Sequence, residues 1–283
     1  MIRSKFRKPT NCWKNWISIY HLERIALGIS YNGAPYHGWQ YQRDTIPTVQ
    51  AALESALSSI ANSSVRVTCA GRTDAGVHAT HQVVNFTTDA DRNINVWING
   101  TNSQLPSSIS VTHASLVSEL FNARHSATTR RYLYIIYNAR VRSALLPEYM
   151  TREHRVLDAE RMHEAAQALI GEKDFTSYRA ANCQSRTAMR NVISINVSRQ
   201  GNLILVDIIA NAFLLHMVRN IAGVLLDVGA GEKPVAWVSE LLACRDRKKG
   251  SKTAPPNGLF LIGVTYDTHI GMPSTVWPHF LRP

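Results

Sequence analysis

The segment Cys69–Ala79 reads C-A-G-R-T-D-A-G-V-H-A and sets an arginine and a carboxylate two residues apart between two glycines. Gly71 and Gly76 let the backbone take positive φ and approach a ligand closely. Arg72 and Asp74 are thereby presented on a loop, and loops between core strands are where catalytic groups concentrate. A carboxylate so placed can act as nucleophile or as base, with the guanidinium as a contact for an anion. The same residues also fit a hairpin in which Asp74 only closes an Asx-turn on its own backbone.

The elements that must hold this loop are legible on both sides of it. Val65, Val67 and Cys69 alternate before it, and the apolar run Val83-Val84-Asn85-Phe86 follows it. Upstream, Ile25, Leu27, Ile29 and Tyr31 alternate as a half-buried strand, and Asn32-Gly33 turns the chain. Thr48 is a plausible N-cap for a helix whose stripe is Val49, Leu53, Ala56-Leu57 and Ile60. A helix over 93–105 carrying Ile94, Trp97 and Ile98 inward, and a strand over 109–117, complete a β-α-β-β-α-β order. The second half repeats it: a strand over 129–137, a helix over 158–170 capped by Asp158, and strands over 192–198 and 203–209. Helices over 212–228 and 234–243 and a strand over 258–266 finish the copy. The fold class is therefore α/β (α+β), two ferredoxin-like or RRM-like βαββαβ units. Set edge to edge, they form one extended antiparallel sheet with helices on one face and a central cleft able to take RNA. The boundaries read as a basic extension over 1–22, an N-terminal domain over 23–120 with the Asp74 loop, and a C-terminal domain over 121–268. The tail over 269–283, with Pro273, Pro278 and Pro283, is expected to pack loosely.

Lys and Arg number 31 and Asp and Glu 20 in 283 residues, a net charge of +11 with a pI near 9.8. Such a balance favours a polyanionic partner. Arg3, Lys5, Arg7, Lys8 and Lys14 supply part of it before any acid occurs in the chain. Cys12, Cys69, Cys183 and Cys244 show no C-x-x-C or metal spacing and read as free thiols of a reducing, cytoplasmic compartment. The apolar region Leu203–Val228 is interrupted by Asp207, Asn211, His216 and Arg219, so it reads as core and not as a membrane span. His37, His78, His81 and His216 lack any ligand spacing, and no metal is expected.

G-R-T-D-A-G-V-H followed by Q-V-V-N-F resembles the active-site segment of the tRNA pseudouridine synthase A family. Y-N-G-A-P-Y-H-G-W-Q (31–40), A-R-H-S-A-T-T-R-R-Y (123–132), D-F-T-S-Y-R-A (174–180), N-A-F-L-L-H-M-V-R-N-I (211–221) and G-L-F-L-I-G-V (258–264) are similar to it too. The resemblance implies a cofactor-free isomerase that acts as a homodimer on uridines at positions 38 to 40 of tRNA. It implies that Asp74 is catalytic, that Tyr132 contacts substrate, and that Arg219 pairs with Asp74 across the cleft. Isomerisation of uridine oxidises nothing and adds no group, so neither a nucleotide cofactor nor a metal is expected.

The residues themselves leave other roles open. Alternation puts Arg130, Tyr132 and Tyr134 on one face of their strand and Arg131 and Leu133 on the other. Tyr132 fits either a base-stacking platform or a core tyrosine, and Arg72 either a phosphate contact or a loop-ordering residue. Arg219 shares a helix face with Leu215, Ala222 and Leu226, where its charge needs a partner. The basic clusters at 124–131, 140–155 and 245–252 read together as a phosphate-tracking surface. Leu215 and the basic loop over 247–257 depart from the family pattern. A non-catalytic RNA binder would lack a use for Asp74 in so specific a loop, and it would carry the RRM aromatic signature, which is absent. An RNA methyltransferase would need a glycine-rich nucleotide loop after its first strand.

Overall fold

Ile25, Leu27 and Ile29 settle into the core from β1 (Glu23–Tyr31) in the computed structural model, which describes residues 22–43 and 45–281. The basic extension expected over 1–22, and Cys12 within it, lie outside the described residues but for Leu22. Helix α1 (Val49–Ala61) starts as its cap dictates. Thr48 is extended, and its hydroxyl accepts the Ala51 amide at 3.3 Å. The strand expected over 65–69 narrows to β2 (Thr68–Cys69), and β3 (His78–Thr88), α2 (Ile94–Gln104) and β4 (Ile109–Val117) follow. In α2 the buried side chains are Trp97 and Thr101, while Ile94 and Ile98 are half-buried.

The second half runs β5 (Ala127–Asn138), β6 (Thr151–Glu153), α3 (Ala159–Gln167), β7 (Gly171–Asp174), β8 (Met189–Gln200), β9 (Leu203–Ala210), α4 (Met217–Gly229), α5 (Trp237–Cys244) and β10 (Leu259–Tyr266). The sheet order is β4-β1-β3-β10-β5-β9-β8-β7, with β2 on β3 and β6 on β5. In the first copy β1 lies beside β3 and β4 flanks β1, and in the second β5 lies beside β9 and β10 flanks β5, the arrangement that a βαββαβ order generates. The copies meet along one short parallel seam, where β10 pairs with β3 at His78 and Ala79. The other main ladders are antiparallel.

Side chains from all five helices, including Leu53, Trp97, Met162, Leu225 and Leu241, bury in one apolar cluster with one face of the sheet. The opposite face carries a smaller cluster built on Leu133, Ile135, Leu205, Phe260 and Ile262. The tail is docked there and does not pack loosely. Trp277 and Leu281 pack on that cluster, the Val276 amide donates to the Ile262 carbonyl at 2.8 Å, and Thr80 bonds the Val276 carbonyl. Its prolines stop it from continuing a strand but leave its apolar side chains free to cover the sheet. Among the described residues no helix is long and apolar enough to cross a membrane.

Candidate active site

The Asp74 loop leaves β2 and enters β3, so the sheet fixes both its ends. Along that edge β3 changes neighbour, pairing with β2 at Val84 and Asn85 and with β10 at His78 and Ala79. The loop therefore rises where one copy gives way to the other. Gln82 of β3 brackets its start, accepting the Gly71 amide at 3.3 Å and donating to the Gly71 carbonyl at 2.5 Å. Thr73 is buried. Its hydroxyl meets the Tyr31 hydroxyl at 2.8 Å, and its carbonyl accepts the Trp39 amide at 3.0 Å. Gly33 has to be glycine, because a Cβ there would lie 2.0 Å from the Val77 carbonyl oxygen. The segments 31–40 and 71–78 thus form one interlocked unit, with Asp74 on it.

The half-buried Asp74 carboxylate faces two bases from the other copy. Arg219 Nη1 donates to Oδ2 at 3.1 Å, and His216 Nε2 stands 3.5 Å from the same oxygen. Among the described residues no backbone amide donates to it, so the Asx-turn reading gives way to a carboxylate turned outward. Burial pushes the His216 imidazole below its ordinary range. The charge on Asp74 opposes that push, and Arg219 and Arg247 reinforce it. Arg219 thus makes the hydrogen bond to Asp74, and His216 stands beside the same carboxylate oxygen.

His216 also corrects the helix expected from residue 212. Its φ is +61°, a left-handed conformation that a right-handed helix cannot contain, so α4 begins only at Met217. The irregular stretch before it sends Phe213, Leu214 and Leu215 to the wall of the cleft. Leu215, expected on the helix face of Arg219, belongs to this wall instead. His216 lies three residues before Arg219, and that spacing was the available signal for its place in the site.

Tyr132 lies on the floor, 7% exposed, with its ring edge-to-face against Phe213 at a centroid distance of 5.0 Å. Burial first, then the charge on Asp74, raises its phenol well above the usual range, so the hydroxyl stays protonated. Arg72 is exposed and lines the cleft, making no hydrogen bond or ion pair among the described residues. Arg130, expected on the Tyr132 face of its strand and in a basic cluster, lines the cleft beside Tyr132. Its guanidinium is held inside by carbonyls of Ala70 at 3.0 Å, Arg124 at 2.6 Å and Asn211 at 3.0 Å. It ties the root of the Asp74 loop to the stretch that carries His216.

The cleft has a volume of about 1040 Å³. Arg72, Arg124, Arg130, Arg190 and Arg219 line it, and Asp74 is the only carboxylate among its described lining residues. The other basic positions are not all open to phosphates. Arg131, on the opposite face, grips Asp207 at 2.8 and 2.5 Å and lies over the Trp277 ring. Arg155 pairs with Glu153, Asp227 and Glu232. Arg131 and Arg155 are thereby taken out of the expected phosphate-tracking surface, of which Arg140, Arg142, Lys248, Lys249 and Lys252 remain exposed. Among the described residues no group of three or more His, Cys, Asp or Glu could hold a metal ion.

A family model described as tRNA pseudouridine synthase covers residues 29–126 and 165–267, so the chain belongs to that family of isomerases. Its relatives narrow the likeness. The tRNA pseudouridine synthase A of Shewanella sp. (strain MR-4) is 53% identical over 250 residues, 88% of this chain and 95% of that protein. That of Actinobacillus pleuropneumoniae serotype 7 (strain AP76) is 54% identical over 259 residues, 91% of this chain and 98% of that protein.

Proposed function

We propose that the protein converts uridine to pseudouridine at positions 38 to 40 in the anticodon arm of tRNA, with Asp74 as the catalytic carboxylate. The observation that carries this reading is the Asp74–Arg219 contact at 3.1 Å inside a cleft whose other charged walls are basic. In the reaction the C1′–N1 bond of uridine breaks and C1′ bonds to C5. C5 loses its hydrogen, N1 gains one, and nothing else enters or leaves. One carboxylate at the sugar–base junction, shielded from water, suits such chemistry. Arg219 orients Asp74 and keeps its charge balanced. Tyr132 meets the flipped base, since stacking of a base on an aromatic ring contributes ~1–3 kcal/mol. Arg72, unpartnered at the wall, meets the RNA backbone. The enzyme works without a cofactor, as a homodimer in the cytoplasm.

The experiment is release of tritium from tRNA labelled at uridine C5. The wild-type protein should release it, and Asp74→Asn should release none while binding tRNA with nearly unchanged affinity. Turnover near wild type in Asp74→Asn removes Asp74 from the chemistry. Replacing the uridines at 38 to 40 by cytidine should end release, and release that persists would move the target elsewhere. Sedimentation of the purified protein as a monomer would overturn the dimer.

A further inference from the structure

Arg219 reaches Asp74 with a second segment holding it from behind. Its Nε donates to the Ala254 carbonyl at 2.9 Å, and the Ala254 amide returns a bond to the Arg219 carbonyl at 3.1 Å. Ala254 belongs to the run T-A-P-P-N over 253–257, just ahead of β10, in which two prolines restrict the backbone. The same run touches the other partner of the pair. Pro256 packs on Gly76 of the Asp74 loop, and the Asn257 carbonyl lies 3.2 Å from Nε2 of His78, where that loop ends.

The start of the run is locked by three side chains. The Thr253 hydroxyl donates to Asn220 Oδ1 at 2.7 Å, and Arg247 Nη2 donates to both of those oxygens at 2.9 Å. Asn220 is 2% exposed, follows Arg219 directly, and donates from Nδ2 to the Tyr178 carbonyl at 2.8 Å. Gly223, one turn on, lets the run lie against the helix, since a Cβ there would sit 2.0 Å from the Lys252 carbonyl oxygen. Arg247, a basic residue of a loop that reads as surface, is thus turned inward onto neutral oxygens.

We propose that Asn220, Arg247 and Thr253 are positioning residues for the reaction. They lock the run over 253–257 so that Ala254 holds the Arg219 guanidinium against Asp74. This rests on the roles given above to Asp74 and Arg219. A long side chain gains precision when its rotamers are fixed by packing and hydrogen bonds from behind. Displacing a catalytic contact by about 1 Å can cost on the order of 100-fold in rate.

Thr253→Val keeps the shape of the side chain and removes its hydroxyl, whereas Thr253→Ser keeps the hydroxyl. Steady-state tritium release from C5-labelled tRNA by the full-length protein reads both. Thr253→Val should lower kcat by about 10- to 100-fold with KM for tRNA and the melting temperature unchanged, and Thr253→Ser should restore most of it. In an Arg219→Lys background Thr253→Val should add little further loss, because the hydroxyl acts through the guanidinium. An unchanged kcat in Thr253→Val overturns the proposal. So does a loss that follows a falling melting temperature, that serine does not rescue, or that persists in full beside Arg219→Lys. The wild-type and Asp74→Asn arms separate the two levels: turnover retained in Asp74→Asn sinks the reading of the site itself, whatever Thr253 does.

Discussion

Asp74 and Arg219 stand 145 residues apart in the sequence and 3.1 Å apart in the fold. One comes from the loop between β2 and β3, the other from the first turn of α4, and the β3–β10 seam sets the two copies side by side. A guanidinium offers a planar fork that an ammonium cannot copy. Here one arm of the fork is spent on Asp74 and Nε on Ala254. Arg219→Met is therefore expected to lower turnover by roughly 100-fold, the scale of loss when a preorganised charge contact is removed. Arg219→Lys should recover little of it, since one ammonium on a shorter reach cannot hold both ends. Single-turnover tritium release measures both, and full activity in Arg219→Lys would assign the arginine to packing alone.

Most strands and helices of both copies were legible because their signals are local, whereas β6 and β7 were not expected. Thr48 announces α1, and alternation announces β1. The Asp74 loop stood out through residue types that only a special backbone and a special chemistry would bring together. What was not legible depends on contacts distant in sequence. β7 is four residues of mostly polar character, and it becomes a strand only because β8 offers its edge. The left-handed His216 that delays α4 leaves no periodic trace, since Phe213, Leu214 and Leu215 look helical until the cleft takes them. Arg130 and Arg131 are adjacent and chemically alike. Alternation puts them on opposite faces, but it does not show that one ends on carbonyls at the cleft and the other on Asp207.

His81 makes the fold sensitive to acid. It is fully buried on β3, its ring faces His113 at 6.3 Å, and a hydrogen bond to the Pro273 backbone opposes the effect of burial only in part. Burial, then His113, pushes its pKa from 6.5 down to about 4. Between those values the unfolded chain takes up a proton that the folded one refuses. The unfolded state then binds more protons, so stability is full above pH 6.5 and is lost as pH falls toward 4. The loss across the window is roughly 3 kcal/mol. His78 and His216 are also held below their ordinary range and act in the same direction. His81→Leu should therefore flatten the fall without abolishing it. Denaturant melts from pH 7 to pH 4 measure the slope, and identical slopes in wild type and variant would remove His81 from the account.

Arg72 offers its charge to the cleft with no partner among the described residues. A free guanidinium in that place is suited to a phosphate. Binding of tRNA should then weaken steeply with salt, because each neutralised phosphate releases counterions. Arg72→Ala should weaken binding and reduce the slope of log affinity against log salt by about 1. Filter binding over a range of salt concentrations reads the slope directly. A slope unchanged by Arg72→Ala would place Arg72 away from the RNA backbone.

Tyr132 separates base holding from overall affinity. Its ring is pinned edge-to-face by Phe213, and its hydroxyl points toward Gly71, where an added Cβ would lie 3.6 Å away. The ring is thus fixed at the root of the Asp74 loop, within the field of the Asp74 charge. If it meets the flipped base, its loss affects a contact made by one nucleotide, while the arginines continue to hold many phosphates. Tyr132→Ala should then reduce kcat by more than it weakens tRNA binding. Tyr132→Phe, which keeps the ring and removes the hydroxyl, should retain most base holding. A hydroxyl that also transfers or donates a proton would show itself as a loss of kcat in Tyr132→Phe with KM unchanged. Because Tyr132 is part of the main core, the melting temperature of Tyr132→Ala must be read beside its kinetics. Equal losses in binding, turnover and melting temperature would make the tyrosine a core residue and leave the base to be held by other groups.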